Sequence, residues 1–281
     1  MMKKITAISL FTFLLFVLIS PLKTFAGFPI GKYRNVIVPT FSYYRQTDRF
    51  DDKDNVIKGA PGTSFTSYSS NLFIGYGISR RLDIIATIPY LYQVNVVTPG
   101  TKLVDAGLGD AVVGFSYNLV NSNFVRFLSI GVSAIVPLYN IHNGPSPLGL
   151  SAYGSEVKLM YCGNLPKDVA TKGYFNLELG YRRYYTTQGP DQISLLGTLG
   201  YPVSAHDQLS LDILLWRSFS SNKDFDANIF AAHDYSFFKP QLNYGHTFTR
   251  RFSAFVGGFY VPFGVNTGVG YGGSLLAVIK L

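Results

Sequence analysis

From Thr66 to Ile78 the even positions carry Tyr68, Leu72, Ile74, Tyr76 and Ile78, while the odd ones carry Ser67, Ser69, Asn71, Gly75 and Gly77. A period of two belongs to a strand with one oily face and one small or polar face. After Ser79-Arg80-Arg81 the pattern resumes, with Leu82, Ile84, Ala86, Ile88 and Tyr90 on one side and Asp83, Thr87 and Pro89 on the other. Between Gly109 and Leu119, Ala111, Val113, Phe115, Tyr117 and Leu119 alternate with Asp110, Gly114, Ser116 and Asn118. The same alternation predicts strands over Val125–Val136, Ala152–Gly163, Gly173–Tyr184, Gln192–Val203, Gln208–Ser218, His233–His246, Arg251–Pro262 and Val269–Leu281. A first strand over Tyr33–Gln46, whose inward phase stays open, brings the number to twelve. An even number of strands, each long enough to cross a bilayer when tilted, predicts an all-β transmembrane barrel, up-and-down and antiparallel.

The connections alternate in length. Ser79–Arg81, Val120–Asn123, Asn164–Lys172, Ser204–Asp207 and Thr247–Arg250 are mostly tight. Thr47–Thr63, Val94–Leu108, Pro137–Ser151, Tyr185–Asp191, Phe219–Ala232 and Phe263–Gly268 are mostly longer and rich in Gly, Pro, Asn and Asp. Short periplasmic turns and long outer loops are expected of outer-membrane barrels, with both chain ends in the periplasm. A soluble β-sandwich would also alternate. The oily rows, however, hold tyrosine near strand ends, at Tyr76, Tyr90, Tyr117, Tyr161, Tyr181 and Tyr201, as aromatic girdles do.

Composition extends this picture. The chain is 47% hydrophobic and 14% charged, below the roughly 25% charge of ordinary soluble proteins. Its one long apolar run, Ile5 to Ile19, follows Lys3-Lys4 and precedes Thr24-Phe25-Ala26, which reads as a signal peptide over residues 1–26 and a barrel over 27–281. Without Lys3, Lys4 and Lys23, 21 basic residues face 16 acidic ones, a net charge of +5. These charges are scattered rather than striped, so nucleic acid is not an expected partner. The expected partners are outer-membrane lipids, the machinery that assembles barrels, and a small solute. Cys162 is the sole cysteine and cannot form an internal disulfide.

Enzyme-like motifs fail on context. Gly268-Val269-Gly270-Tyr271-Gly272-Gly273 fits G-x-G-x-x-G but opens a strand, not a helix. Ser155-Glu156-Val157-Lys158 fits S-x-x-K, yet a strand turns Ser155 and Lys158 to opposite faces. Outer-membrane phospholipase, also a twelve-stranded barrel, is the enzyme alternative. Its nearest match, His142-Asn143-Gly144-Pro145-Ser146, has Gly144 in the nucleophile's place. His206, His233 and His246 lack metal-ligand spacing, so neither catalysis nor a cofactor is expected.

Charged and amide side chains on the inward phase are the informative positions, because the lumen must supply them with partners or water. They are Asp110, Glu156, Lys158, Glu178, Arg182, Asp212, Lys239, Gln241 and Asn243. Pairing Ala152–Gly163 with Gly173–Tyr184 about the intervening turn sets Lys158 opposite Glu178 and Glu156 near Arg182. Two readings stay open: a wet polar lining that a solute passes, or an ion-pair ladder that fills a closed structural barrel.

Three stretches carry a family resemblance. Asn71-Leu72-Phe73-Ile74-Gly75-Tyr76-Gly77-Ile78-Ser79-Arg80-Arg81-Leu82-Asp83 with Ile88-Pro89-Tyr90 is a strand–turn–strand module. Gly107-Leu108-Gly109-Asp110 opens the next strand, and Gly264-Val265-Asn266-Thr267-Gly268 closes the last hairpin. Together they resemble the outer-membrane family named for the meta-pathway of phenol degradation. That resemblance implies a barrel that transports aromatic or other apolar compounds. Such barrels commonly end in an aromatic residue, whereas this chain ends in Lys280-Leu281.

Overall fold

A computed structural model describes residues 29–139, 147–165, 173–224, 226, 228–229 and 232–281. The expected signal peptide and the His142–Ser146 motif lie outside the described residues. Every regular element among the described residues is a strand: β1 (Asn35–Phe50), β2 (Val56–Ile57), β3 (Ser64–Gly77), β4 (Leu82–Thr98), β5 (Thr101–Leu108), β6 (Asp110–Ser122), β7 (Arg126–Pro137) and β8 (Gly154–Asn164), then β9 (Tyr174–Tyr184), β10 (Asp191–Pro202), β11 (Asp207–Phe219), β12 (Tyr235–Thr249), β13 (Phe252–Tyr260), β14 (Phe263–Val265) and β15 (Gly268–Lys280).

All pairings are antiparallel, and they close. The order runs β11, β10, β9, β8, β7, β6, β4, β3, β1, β15, β13, β12, and β12 pairs back onto β11 along its length. β5 leads through Gly109 into β6, and both pair with β4; β14 follows β13, and both pair with β12. The barrel therefore has twelve staves, with no free edge to solvate or aggregate. The N–H groups of Asn35 and Leu281 each donate to the other's carbonyl at 3.0 Å, so both barrel ends sit on the rim that carries the short turns.

Strands run further than alternation alone suggests at the opposite rim. Val94–Leu108, expected as a loop, is instead a hairpin in which β4 turns at Pro99-Gly100 into β5. Gly100 sits at φ 91°, the left-handed region that glycine adopts without a steric penalty. β1 likewise extends to Phe50, where β2 pairs with it.

The two faces separate as the period of two requires. Tyr68, Tyr76, Tyr90, Tyr117, Tyr181 and Tyr201 are exposed on the outer wall, among rows of exposed Leu, Ile and Val such as Leu159, Leu179, Leu195 and Leu211. A continuous apolar belt is what a closed barrel presents to lipid. The first strand's phase is settled by its partners: Ser42 pairs with Ser274 and Ser69, so Thr40, Ser42, Tyr44 and Gln46 face inward and exposed Phe41 faces out.

One register differs from the sequence expectation. Lys158 lies opposite Gly180, and Glu178 lies opposite Met160. The expected Lys158–Glu178 opposition is therefore corrected by a slip of two residues. Such a slip keeps every side chain on its face, so the hydrophobic pattern does not resist it.

Candidate functional site: the barrel lumen

The corrected register places Glu156 directly across from Arg182. Glu156 Oε1 accepts from Arg182 Nη2 at 3.0 Å and Nε at 3.3 Å, while Lys158 Nζ stands 3.5 Å from Glu156 Oε2. Two cations thus share one carboxylate that is 4% exposed, whereas the Lys158 side chain keeps 36% of its surface open. A carboxylate so buried needs these partners, because a charge taken out of water without them is costly. Arg182 also donates to Tyr184 Oη at 3.3 Å, and its guanidinium lies 5.5 Å from the centre of the Trp216 ring.

Trp216 belongs to an aromatic ledge. Its ring is parallel to Phe237 at 6.4 Å, and Phe237 is parallel to Tyr235 at 6.2 Å. The Gln192 side-chain amide links the ledge to the wall, donating toward Tyr235 Oη at 3.4 Å and Ser218 Oγ at 3.2 Å. Ser218 in turn donates to the His233 carbonyl at 2.6 Å.

Nearer the short-turn rim, a polar chain links side chains from four strands. Thr198 Oγ1 and Asn243 Nδ2 each donate to Asp212 at 2.7 Å, Gln241 Nε2 donates to Asn243 Oδ1 at 2.7 Å, and Gln241 also reaches Ser274 Oγ at 2.9 Å. Lys239 projects from β12 over the Phe259 ring at 4.8 Å. Glu178 accepts from Asn176 Nδ2 at 2.7 Å. The structure thus brings together Asp212, Gln241 and Asn243, and separately Glu156, Lys158 and Arg182. Asp110 stands apart: its Oδ2 accepts from Leu150 N–H at 2.8 Å and so pins the 147–152 segment inside the wall. Leu148, Leu150 and Ala152 pack there, the last two against Ile135 and Tyr184.

Sequence periodicity alone missed the residues that cross the lumen. Asn228, from the segment between β11 and β12, is 1% exposed; its Nδ2 donates to Gln93 Oε1 at 2.9 Å and to the Pro147 carbonyl at 2.6 Å. Gln93 sits on β4, six staves from β11 in either direction, so this segment spans the barrel. Its far end is fixed by Asp234, which accepts from Arg217 Nη2 at 3.0 Å, Ser220 N–H at 3.2 Å, and Lys223 Nζ. Burial pushes the Asp234 carboxyl up, but those hydrogen bonds and the Arg217 charge outweigh it, leaving it below the usual carboxylate range. Gln93 and Gln192 could have been found from their inward phase; Asn228 follows no period.

At the short-turn rim, residues 30–34 fold back against β3 and β4. Ile30 N–H donates to Asp83 Oδ2 at 3.0 Å and Tyr33 N–H donates to the Gly77 carbonyl at 2.7 Å. Among the described residues, no cluster of three His, Cys, Asp or Glu side chains could hold a metal ion.

No family model and no curated protein matches the chain. Among solved structures, an outer-membrane channel from Pseudomonas putida F1 superimposes with a TM-score of 0.73 at 12% identity, covering 92% of this chain and 100% of that one. The NanC porin gives a TM-score of 0.53 at 10% identity over 86% and 98%. The translocator domain of the autotransporter NalP from Neisseria meningitidis gives 0.50 at 10% identity over 89% and 88%. At such identities the likeness is one of fold: a closed, twelve-stranded antiparallel β-barrel.

Proposed function

We propose that this chain is an outer-membrane channel through which small solutes diffuse, with its long loops outside and its short turns in the periplasm. The observation that carries this reading is the inner wall itself, where Lys158, Arg182, Lys239, Glu156, Glu178 and Asp212 project among amide and hydroxyl side chains. A wall of that polarity is served by water. The apolar outer belt and the two channel-forming fold neighbours support the placement in an outer membrane. The segment carrying Asn228 makes the path narrow and selective rather than an open pore.

The stacked Tyr235, Phe237 and Trp216 rings beside Arg182 supply a flat apolar face at the loop-side end of the lumen. That face fits aromatic or other apolar solutes, in line with the meta-pathway family resemblance. The chain acts without catalysis in this reading. His206 and His246 sit at the turn rim, engaged by the Thr247 carbonyl and by Asp207.

A closed barrel is the competing reading, favoured by the Asn228 crossing. Planar-bilayer recording of the purified protein, with solute uptake by a deletion strain, separates the two. Discrete conductance steps and reduced uptake of small aromatic solutes are expected. Silence in the bilayer with unchanged uptake would establish the closed barrel instead.

A further inference from the structure

On the outer wall a groove of about 410 Å³ crosses β10, β11, β12 and β14. The strand registers give its construction. Leu195, Leu215, Phe238 and Phe263 form one outward row, and Ile193, Arg217, Ser236 and Val265 form the next row toward the long-loop rim. Tyr181 pairs with Ile193, so Arg217 stands level with a tyrosine of the aromatic girdle. A cation at girdle height directly above an oily groove matches a molecule with an anionic head and an acyl tail.

The charges nearest that cation keep its sign. Arg217 shares Asp234 with Lys223, whose side chain is 65% exposed, and Arg183 faces Asp191 at 3.8 Å in the next row. Around the groove three cations meet three carboxylates, Asp54, Asp191 and Asp234, but at its head Arg217 and Lys223 share the single Asp234 carboxylate, so one positive charge is left over there. At its β14 end, the Asp54 carboxylate is engaged by Gly264 N–H at 2.9 Å. The groove also continues the exposed apolar belt without a polar break, since Ile193, Leu195, Leu215 and Phe263 are themselves part of that belt.

We infer that this groove holds an acyl chain of the phosphorylated glycolipid of the outer leaflet, with a lipid phosphate on Arg217 and Lys223. The inference rests on the outer-membrane reading for which rim faces outward. It does not require the lumen to conduct. A zwitterionic phospholipid would fill the groove equally but leave the cationic excess unanswered.

The test is native mass spectrometry and thermal unfolding of the detergent-purified barrel with diphosphorylated lipid A, its dephosphorylated counterpart, or phosphatidylethanolamine. Diphosphorylated lipid A should be retained at least about tenfold better than either comparison lipid and should raise the unfolding temperature. Arg217→Gln with Lys223→Gln should abolish the phosphate preference, and Leu215→Trp, which fills the groove, should abolish retention with the cations intact. Because Arg217 also anchors Asp234, Leu215→Trp is the deciding variant, with Leu195→Trp as its replacement if it misfolds. Equal retention of the three lipids, or unchanged retention in the filled groove, overturns the inference. Conductance measured on the same preparation keeps it distinct from the channel reading: a silent barrel that still prefers diphosphorylated lipid A overturns only the channel.

Discussion

Asn228 lies 135 positions from Gln93 in the chain, in a segment rooted on the opposite wall of the barrel, yet Asn228 Nδ2 donates to Gln93 Oε1 at 2.9 Å. The bond ties the β11–β12 segment to the far wall, and a second bond from the same amide, to the Pro147 carbonyl, ties it to the neighbouring inward-folded segment. One asparagine therefore joins three parts of the loop-side mouth. Each neutral hydrogen bond contributes about 1 kcal/mol net. Asn228→Ala should leave the twelve staves folded, with a urea midpoint little changed, while releasing the segment from the lumen. The expected outcome is a conductance several-fold higher with more frequent open-channel noise. Conductance identical to the parent would show that the crossing does not set the bore.

The Glu156 cluster makes unequal contributions from its two cations. Arg182 is largely buried and bonds through two nitrogens, so Glu156→Gln leaves a buried guanidinium without its carboxylate and should cost about 3–5 kcal/mol. Lys158, half-open at 3.5 Å, behaves as an exposed pair, and Lys158→Met should cost only about 0–1 kcal/mol. The same lysine change removes a positive charge from the lumen wall. Reversal-potential measurements in a salt gradient should show Lys158→Met shifted toward cations and Glu156→Gln toward anions. A large stability loss for Lys158→Met, with selectivity unmoved, would mark a dry, filled barrel.

Two carboxyls of the crossing segment predict a two-stage response to acid. Burial pushes Asp226 up, only partly offset by the Asn228 N–H that it accepts at 2.7 Å, whereas Asp234 is held down by its cations and donors. A raised folded-state value contributes stability that is complete below the unfolded value, about 3.9, and is lost as pH rises through the folded value. A lowered one contributes stability present above about 3.9 and lost as pH falls through the folded value. Acidification from neutral should therefore first tighten the segment as Asp226 takes its proton, then release it as Asp234 does. Conductance should dip and then rise. Asp226→Asn should erase the dip and Asp234→Asn the acid-side rise; a monotonic profile in the parent would contradict the pairing of these two groups.

Alternation could reveal the staves because each face of a barrel strand meets one medium, lipid or lumen, for its whole length. Hence Tyr68 and Ser69 declared their sides, and Asp212, Gln241 and Asn243 could be placed inward before their hydrogen bonds were seen. Register is a different quantity. Moving β9 two residues along β8 exchanges like for like on both faces, so the pattern does not separate the true pairing, with Glu156 opposite Arg182, from one that sets Lys158 against Glu178. The β4–β5 hairpin was legible in principle, since Val94, Val96 and Val97 favour a strand and Pro99-Gly100 a tight turn, but its length made it resemble a loop. Asn228 was not legible at all, because a loop crossing a lumen has no period and its partners are distant in sequence.

The short-turn mouth supplies the last expectation. A side chain at Gly77 would place its Cβ 1.8 Å from the Gly31 carbonyl oxygen, and one at Gly75 would meet Ile30 Cδ1 at 2.4 Å. Both glycines lie on the inward phase of β3, so the chain before β1 occupies space that any other residue would take. Asp83 clasps it through Ile30 N–H, while Asp83 Oδ1 is buried with no partner among the described residues. Gly77→Val keeps a residue suited to strands and should preserve the barrel while expelling the strap from the mouth. A thiol introduced by Ile30→Cys should then react with a bulky maleimide at least tenfold faster than in the parent background, where the strap shields it; Cys162, 1% exposed, stays silent. Conductance should rise with the labelling rate. If labelling accelerates while conductance does not, the strap is a structural anchor and the bore is set at the opposite mouth by Asn228.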